Sequence, residues 1–281
     1  MNRFIHQTDI FHPHGDPDDH WDLASVYALA SKGKLDLGGV MFDYPPPNRV
    51  GDPALLAMAQ LGHLTGITGI PFAIGSMSPM RHRRDVQDDL DPRNRAAAEW
   101  LCRILENASE PVAINIVGSC TDVALAGLLR PDLFQEKCSA VYLNAGAAHP
   151  GVEGELEYNV RLNPSSYAAI FDLPCPVYWC PCWHQTEMRE VGANGTWFSF
   201  VQEEIFTCLS EPLCNFFLYM LSRSSDPITV TCADDGATNW KKSETASNRY
   251  IFQIRHEAPY AEAMKKALSG LLKGQCSAVQ K

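Results

Sequence analysis

Four aspartates lie close together near the N-terminus of this 281-residue chain: Asp9, Asp16, Asp18 and Asp19. Before them comes the short apolar stretch 4–5, which predicts a buried strand. After them, apolar residues recur at helical spacing over 23–29. The carboxylates therefore belong to a turn that joins a strand to a helix. Open α/β sheets bind their ligands at this end of a strand.

Closely packed carboxylates repel one another, and the repulsion raises their pKa values. A hard divalent cation with oxygen ligands relieves the repulsion, so the cluster indicates a metal site. The local pattern leaves a second interpretation open with equal weight. In that interpretation the segment is a solvated acidic loop, and Asp18 or Asp19 is the N-cap of the following helix.

Strand-like and helix-like segments alternate along the chain. This alternation predicts the α/β class, with an open, mostly parallel sheet and helices on both faces. The predicted strands after the first are 37–42, 70–75, 112–117, 140–144 and 177–180, and the predicted helices include 53–65, 93–107, 122–129 and 165–171. We interpret residues 1–281 as a single domain, in which aromatic-rich helices over 192–240 cap the strand ends.

Composition and missing motifs argue against several function classes. The net charge of −10 would repel phosphate-rich surfaces, so nucleic acid is not an expected partner. No apolar run is long enough to span a bilayer and the N-terminal residues lack a secretory core, which predicts a cytoplasmic protein without a membrane partner. The ten cysteines lie mostly in apolar stretches, so we expect reduced thiols. Ser119 lacks the nucleophile-elbow pattern, and Gly-rich phosphate loops are absent from the sequence.

Polar residues recur just after predicted strands. Asp43 and Asn48 follow the second strand, Asn144 ends a later one, and Glu157 and Asn159 come soon afterwards. The carboxyl ends of parallel strands share one edge of the sheet. We therefore expect side chains from different strands to converge there on one ligand.

Several segments, in order over roughly residues 1 to 182, resemble the inosine-uridine preferring nucleoside hydrolases. The aspartate cluster resembles the family's D-x-D-x-x-x-D-D pattern with about three extra residues. Segment 117–124 is similar to T-G-P-L-T-N-[IL]-A, segment 141–146 to V-x-M-G-G, and segment 156–159 to A-E-F-N. Each piece alone is a weak signal, and their order along the chain makes the set specific.

The resemblance implies a nucleoside hydrolase-like fold with a Rossmann-like core. It implies hydrolysis of the N-glycosidic bond of a ribonucleoside or related riboside, with a Ca²⁺ ion at the bottom of the pocket. The implied calcium ligands are Asp19, the backbone carbonyl of Val117, and Asp226 in a segment similar to the family's late H-D-P motif. The residues implied to hold the ribose hydroxyls are Asp18, Asn48, Asn144, Glu157 and Asn159.

The resemblance leaves two catalytic roles open. The general base, which activates water at the metal and is itself a metal ligand, is either Asp9 or Asp16. Ser225 stands where the family carries the histidine that protonates a purine leaving group. Histidines that could take over this role are His184, His12 and His14.

Two other functions remain open from the sequence. One is a non-catalytic ribose- or nucleoside-binding protein that keeps the fold and the metal; the missing histidine favours it and the retained carboxylates oppose it. The other is a different metal-dependent hydrolase or glycosidase on the same scaffold. The expected partner is a small-molecule nucleoside or riboside, and the sequence leaves open whether the chain forms a homo-oligomer.

Overall fold

Six parallel strands form the sheet on which the rest of the chain is arranged. The computed structural model describes residues 3–10, 18–45, 53–146, 156–181 and 268–273, and in addition Ile205, Leu209, Leu213, Phe216 and Lys266. The strands are β1 (Arg3–Thr8), β2 (Asp36–Phe42), β3 (Phe72–Ile74), β4 (Val112–Ile116), β5 (Cys138–Leu143) and β6 (Val177–Trp179). The helices are α1 (Asp18–Ser31), α2 (Pro53–Thr65), α3 (Ala96–Asn107), α4 (Thr121–Leu129), α5 (Pro131–Lys137), α6 (Tyr158–Leu162) and α7 (Pro164–Ile170), with a 3₁₀ helix at Pro92–Arg95.

The strand order is β3-β2-β1-β4-β5-β6, and every neighbouring pair is parallel. The chain builds outward from β1 to β3 and then returns to the centre to place β4 on the other side of β1. This reversal opens a crevice between the carboxyl ends of β1 and β4, which is where doubly wound sheets bind their ligands.

Two apolar layers hold the helices on opposite faces of the sheet. On one face, Leu101 of α3 and Leu125 of α4 pack with Ile114 of β4 in a fully buried cluster. On the other face, Tyr27 of α1 and Leu61 of α2 pack in a second cluster over β1 and β2. Since both faces are covered, the central strands are largely buried on both sides, as is usual for parallel sheets, although β1 also carries the buried polar residues His6, Gln7 and Thr8.

The predicted α/β class with helices on both faces is confirmed, and each strand and helix predicted before residue 192 has a counterpart in the structure. The sequence pattern missed α5 and α6, which have seven and five residues. Within the described ranges, no helix is long and apolar enough to cross a bilayer.

Four residues of the predicted cap over 192–240 are described: Ile205, Leu209, Leu213 and Phe216. Three of them are buried in the cluster that covers α1 and α2, and the Phe216 ring centroid lies 5.2 Å from that of His20. The rest of that range lies outside the described residues, so a cap over the strand ends remains a prediction.

We expect Leu61→Ala to lower the free energy of unfolding by about 2–5 kcal/mol, because it leaves a cavity under a fully buried side chain. Leu56→Ala on the same helix is the matched control: Leu56 is 52% exposed, and the change should cost less than about 0.5 kcal/mol. Urea denaturation of both variants measures the difference. Equal losses would contradict the assignment of the buried face of α2.

Candidate functional site

The crevice between β1 and β4 is closed at its base by hydrogen bonds between the two strand ends. The Val117 amide donates to the Gln7 carbonyl at 3.0 Å, and the Gly118 amide donates to Gln7 Oε1 at 3.0 Å. A Cβ on Gly118 would lie 2.8 Å from the Asp9 nitrogen and 2.9 Å from Asp43 Oδ2. Glycine is therefore required here, because the three strand ends approach too closely for a side chain.

Two carboxyl groups meet at the front of this crevice. Asp9 follows β1 and Asp19 lies in the first turn of α1. Thr8 Oγ1 donates a hydrogen bond to Asp19 Oδ1. Burial is the main cause that raises the pKa of Asp9 to about 6, and burial followed by the Asp9 charge raises that of Asp19 well above its usual range. A proton on either carboxyl group, or a cation between them, relieves this repulsion.

Asp18 is the first residue of α1 and is exposed. Its Oδ1 accepts a hydrogen bond from the Asp19 amide at 3.0 Å. Its negative charge contributes to the raised pKa values of both Asp9 and Asp19. Asp18 therefore lies beside the carboxyl pair, at the solvent side of the crevice.

The segment before and within α6 forms the wall next to β4 and β5. Glu157 is buried and caps α6: its Oε1 accepts from the Asn159 amide at 2.9 Å, and its Oε2 accepts from the Gly146 amide at 2.8 Å. Gly146 has a φ of +79° and a Cβ there would collide with the Tyr167 hydroxyl, so only glycine fits. Asn159 Nδ2 in turn donates to the Val117 carbonyl at 2.9 Å.

Hydrogen bonds between polar side chains of neighbouring strands connect Asn144 to the interior of the sheet. Asn144 Nδ2 donates to Asn115 Oδ1 at 3.1 Å, and Asn115 Nδ2 lies 3.2 Å from His6 Nδ1. Burial lowers the pKa of His6 to about 4, so its ring is neutral near pH 7. This neutral network fixes the orientation of the Asn144 amide without adding charge to the site.

The structure brings together most of the site residues predicted from the sequence that it describes. Asn159 contacts the carbonyls of Val117 and Asn144, and the charge of Glu157 contributes to the raised pKa of Asp9. The residues gathered at this edge of the sheet are Asp9, Asp18, Asp19, Val117, Asn144, Glu157 and Asn159. The predicted residues that lie outside the described part of the chain are His12, His14, Asp16, Asn48, His184, Ser225 and Asp226.

The donor atoms of this cluster suit a hard cation. Asp9 and Asp19 supply carboxylate oxygens, and Val117 supplies a carbonyl oxygen, which are the ligand types that calcium prefers. Asp9 and Asp19 are half-buried and both have raised pKa values, as expected for carboxyl groups at a site that binds positive charge. Among the described residues, no group of three His, Cys, Asp or Glu side chains gathers around a single point. A complete ligand set would need Asp16 or Asp226.

Sequence reasoning gave no role to Gln7 and none to Asp43 beyond its place after a strand. Asp43 is 8% exposed; Gln7 Nε2 donates to its Oδ1, and the Ser119 amide donates to its Oδ2 at 2.7 Å. Burial, followed by the Asp9 charge, raises the pKa of Asp43 well above its usual range. These two side chains tie β1, β2 and the end of β4 together at the base of the crevice. Gln7 could have been recognised in the sequence as a polar residue near the end of a strand that is predicted to be buried.

A cavity of about 250 Å³ adjoins the crevice on its β2 side. Asp43, Ser119 and Asp122 line one side of it, and Tyr44 and Tyr158 lie at its rim. Asp122 is 4% exposed and accepts a hydrogen bond from the Ser76 amide at 3.0 Å, and burial raises its pKa to about 7. None of the described residues that line this cavity is basic. The cavity is thus aromatic at its mouth and acidic inside.

Comparison with known proteins identifies the family. The chain is 24% identical over 181 residues to the pyrimidine-specific ribonucleoside hydrolase RihA of Photobacterium profundum, a match that covers 59% of this chain and 57% of the relative. The RihA proteins of Escherichia coli are also 24% identical, over 178 residues, or 58% of this chain and 56% of theirs. The chain thus spans little more than half the length of these curated relatives.

Solved structures share the fold. An inosine-uridine preferring nucleoside hydrolase from Bacillus anthracis matches with a TM-score of 0.57 at 15% identity, over 97% of this chain and 99% of that one. An inosine-guanosine nucleoside hydrolase matches with a TM-score of 0.58 at 16% identity, with the same coverage. The sequence profile described as "inosine-uridine preferring nucleoside hydrolase" matches residues 8–262. The chain therefore belongs to the inosine-uridine preferring nucleoside hydrolase family.

Proposed function

We propose that this protein hydrolyses the N-glycosidic bond of a ribonucleoside or related riboside. The observation that carries the proposal is the half-buried carboxyl pair of Asp9 and Asp19, both with raised pKa values, at the crevice between β1 and β4. Family membership supports the same reaction. The RihA relatives are named as pyrimidine-specific ribonucleoside hydrolases, which makes pyrimidine ribonucleosides the first natural substrates to assay.

The charge distribution of the crevice suits this reaction. As the bond between ribose and base breaks, positive charge develops on the sugar ring. The carboxylates of Asp9 and Asp19 stabilise that charge, and they act more strongly than surface groups because they are half-buried. The pKa of Asp9, about 6, suits a general base near neutral pH, so we assign to Asp9 the proton of the attacking water. We also propose that Asn144 and Asn159 bind ribose hydroxyls through their side-chain oxygens, because their amide nitrogens donate to Asn115 and to Val117.

We propose that calcium binds at this crevice, held by Asp9, Asp19 and the Val117 carbonyl, with Asp16 or Asp226 completing the ligand set. When bound, calcium would supply the positive charge that keeps the carboxylates ionised and would help to orient the ribose hydroxyls. The carboxylate oxygens of Asp9 and Asp19 would then remain available to the reaction at pH values where they would otherwise be protonated.

We expect calcium to raise the Tm at about pH 7.5 and much less at about pH 5. Asp9 and Asp19 bind protons more tightly in the folded than in the unfolded state. Without a cation, the free energy of unfolding therefore falls as the pH rises from about 4 through about 6, the pKa of Asp9. Calcium restores the lost stability above that range, whereas protons compete with it below. Thermal scans with calcium and with chelator at both pH values measure the effect.

Asp19→Asn should abolish the calcium shift. Asp36→Asn is the matched control, because Asp36 is an exposed aspartate at the opposite edge of the sheet, where β2 begins. A calcium shift that survives in Asp19→Asn would place the metal elsewhere. A shift lost equally in both variants would reflect surface charge and not a site.

The leaving group would occupy the acidic cavity beside the crevice. Asp43 and Asp122 line a cavity where none of the described lining residues is basic, and a cation that enters it would favour their ionised forms in spite of their raised pKa values. Such a cavity favours a leaving group that carries positive charge before the bond breaks. The sequence has Ser225 where the family carries a histidine. This replacement supports the same preference for a cationic leaving group, because such a group departs as a neutral molecule and needs no proton. We therefore propose that ribosides with quaternised heteroaromatic rings are good substrates.

Three ribosides separate the effect of positive charge on the leaving group from the effect of its need for a proton. Inosine is neutral and needs protonation, p-nitrophenyl riboside is neutral and needs none, and nicotinamide riboside is cationic and needs none. We expect kcat/KM to rise in that order, with inosine roughly 10²–10⁴-fold below p-nitrophenyl riboside, the usual cost of losing a general acid. Asp122→Asn should lower kcat/KM for nicotinamide riboside by roughly 10- to 100-fold, as expected for a hydrogen-bonding charge, and should leave p-nitrophenyl riboside nearly unchanged.

Asp36→Asn again serves as the charge control and should alter neither substrate. If Asp122→Asn slows all three substrates equally, Asp122 supports the fold of the site and does not select charge. Fast hydrolysis of inosine would show that another group, such as His184, donates a proton.

The alternative is a ribose-binding protein without turnover, which the replacement of the histidine by Ser225 favours. A structural neighbour, the type III effector protein XopQ, was solved in complex with adenosine diphosphate ribose, with a TM-score of 0.58 at 15% identity. Saturable binding of ribosides by calorimetry, with calcium present and no hydrolysis of any of the three substrates, would favour this alternative.

A further inference from the structure

Two cysteine side chains contact each other across β5 and β6. Cys138 is the first residue of β5, and Cys175 lies two residues before β6. The register pairs Val141 with Val177, and the Val141 amide donates to the Pro176 carbonyl at 2.9 Å. This pairing places Cys175 beside the start of β5, where it packs against the buried cluster that contains Cys138.

The two thiols have different surroundings. Cys138 is 5% exposed in the core between the sheet and the helices, whereas Cys175 is partly exposed. The hydrogen bond from Cys138 lowers the pKa of the Cys175 thiol, and that bond, followed by burial, raises the pKa of Cys138. Thiolate character and access therefore coincide at Cys175, and a second thiol that is protected from solvent lies within reach.

We propose that Cys175 and Cys138 form a peroxide-reactive dithiol that closes reversibly to a disulfide. The Cys175 thiolate attacks hydrogen peroxide, the O–O bond breaks, and Cys175 becomes a sulfenic acid while hydroxide leaves. The Cys138 sulfur then attacks the Cys175 sulfur, forms the S–S bond and releases the second oxygen as water. One peroxide is reduced to two waters and two thiols are oxidised to one disulfide, which a thiol reductant reopens.

The location of the pair indicates what the disulfide would do. It lies at the amino ends of β5 and β6, the edge of the sheet opposite the candidate site. The other end of β6 is already fixed, since Trp179 Nε1 donates to the Ala145 carbonyl at 2.7 Å and the Cys180 amide donates to the Leu143 carbonyl at 2.8 Å. A disulfide would anchor the free end of this short edge strand and close a loop that contains α6 and α7. It would therefore stabilise the fold.

Peptide mapping of the full chain tests the proposal. The protein is treated with about one equivalent of hydrogen peroxide, unfolded with iodoacetamide under non-reducing conditions, digested and analysed by mass spectrometry. We expect a cross-linked peptide that joins Cys138 to Cys175, lost on treatment with dithiothreitol, and a higher Tm for the oxidised protein than for the reduced one. Alkylation of both cysteines, or a link from Cys175 to any other cysteine, would overturn the proposal.

Cys138→Ser separates the attacking thiol from the resolving thiol. Without Cys138, the sulfenic acid of Cys175 should persist and be labelled by dimedone, whereas wild type should show little label. Cys102 is the internal control, because it is buried, its pKa is raised by burial, and its thiol lies 3.6 Å from the Ala126 carbonyl. Labelling of Cys175 no faster than that of Cys102 would overturn the assignment of Cys175 as the reactive thiol.

Discussion

The parallel pairing of β1 with β4 decides where the polar groups of this chain meet. These strands are more than a hundred residues apart in sequence, and they become neighbours only because the chain returns to the centre of the sheet after β3. Their carboxyl ends then bring Asp9 to the Val117–Gly118 turn, and the missing side chain of Gly118 lets β2 contribute Asp43 as well. The candidate site depends on this approach, since a change in strand order would separate the residues that form it.

Carboxyl groups that lose contact with water on folding destabilise the folded state when they ionise. Asp9, Asp19, Asp43 and Asp122 all have raised pKa values with burial as the main cause, which means that ionising them destabilises the native structure. Two fully buried apolar layers, one on each face of the sheet, supply the stability that tolerates this charge. Sites that retain destabilising groups in this way are commonly functional, because the same charges that oppose folding stabilise a cationic ligand or transition state.

Local patterns predicted the sheet, and long-range pairing limited what they could predict of the site. Hydrophobic runs predicted the strands, and Asn144 and Glu157 were found because they follow strands. Gln7 and Asp43 could not be paired from the sequence, because their hydrogen bond joins residues 36 positions apart in neighbouring strands. The proximity of Cys138 and Cys175 could not be predicted for the same reason. Apolar surroundings predicted buried thiols, whereas only the β5–β6 register brings the two together.

Hydrogen bonding divides the polar residues of the crevice into those that are occupied and those that remain available. Glu157 accepts bonds from the amides of Gly146, Asn159 and Val160, which use most of its acceptor capacity. Its main effect is therefore to hold α6 against β5 and to add negative charge near Asp9. The carboxyl groups of Asp9 and Asp19, by contrast, repel each other when both are ionised, which raises the pKa of Asp19. A cation that binds between them would keep both groups ionised, so the pair is the part of the crevice in which ligand binding and catalysis can be coupled.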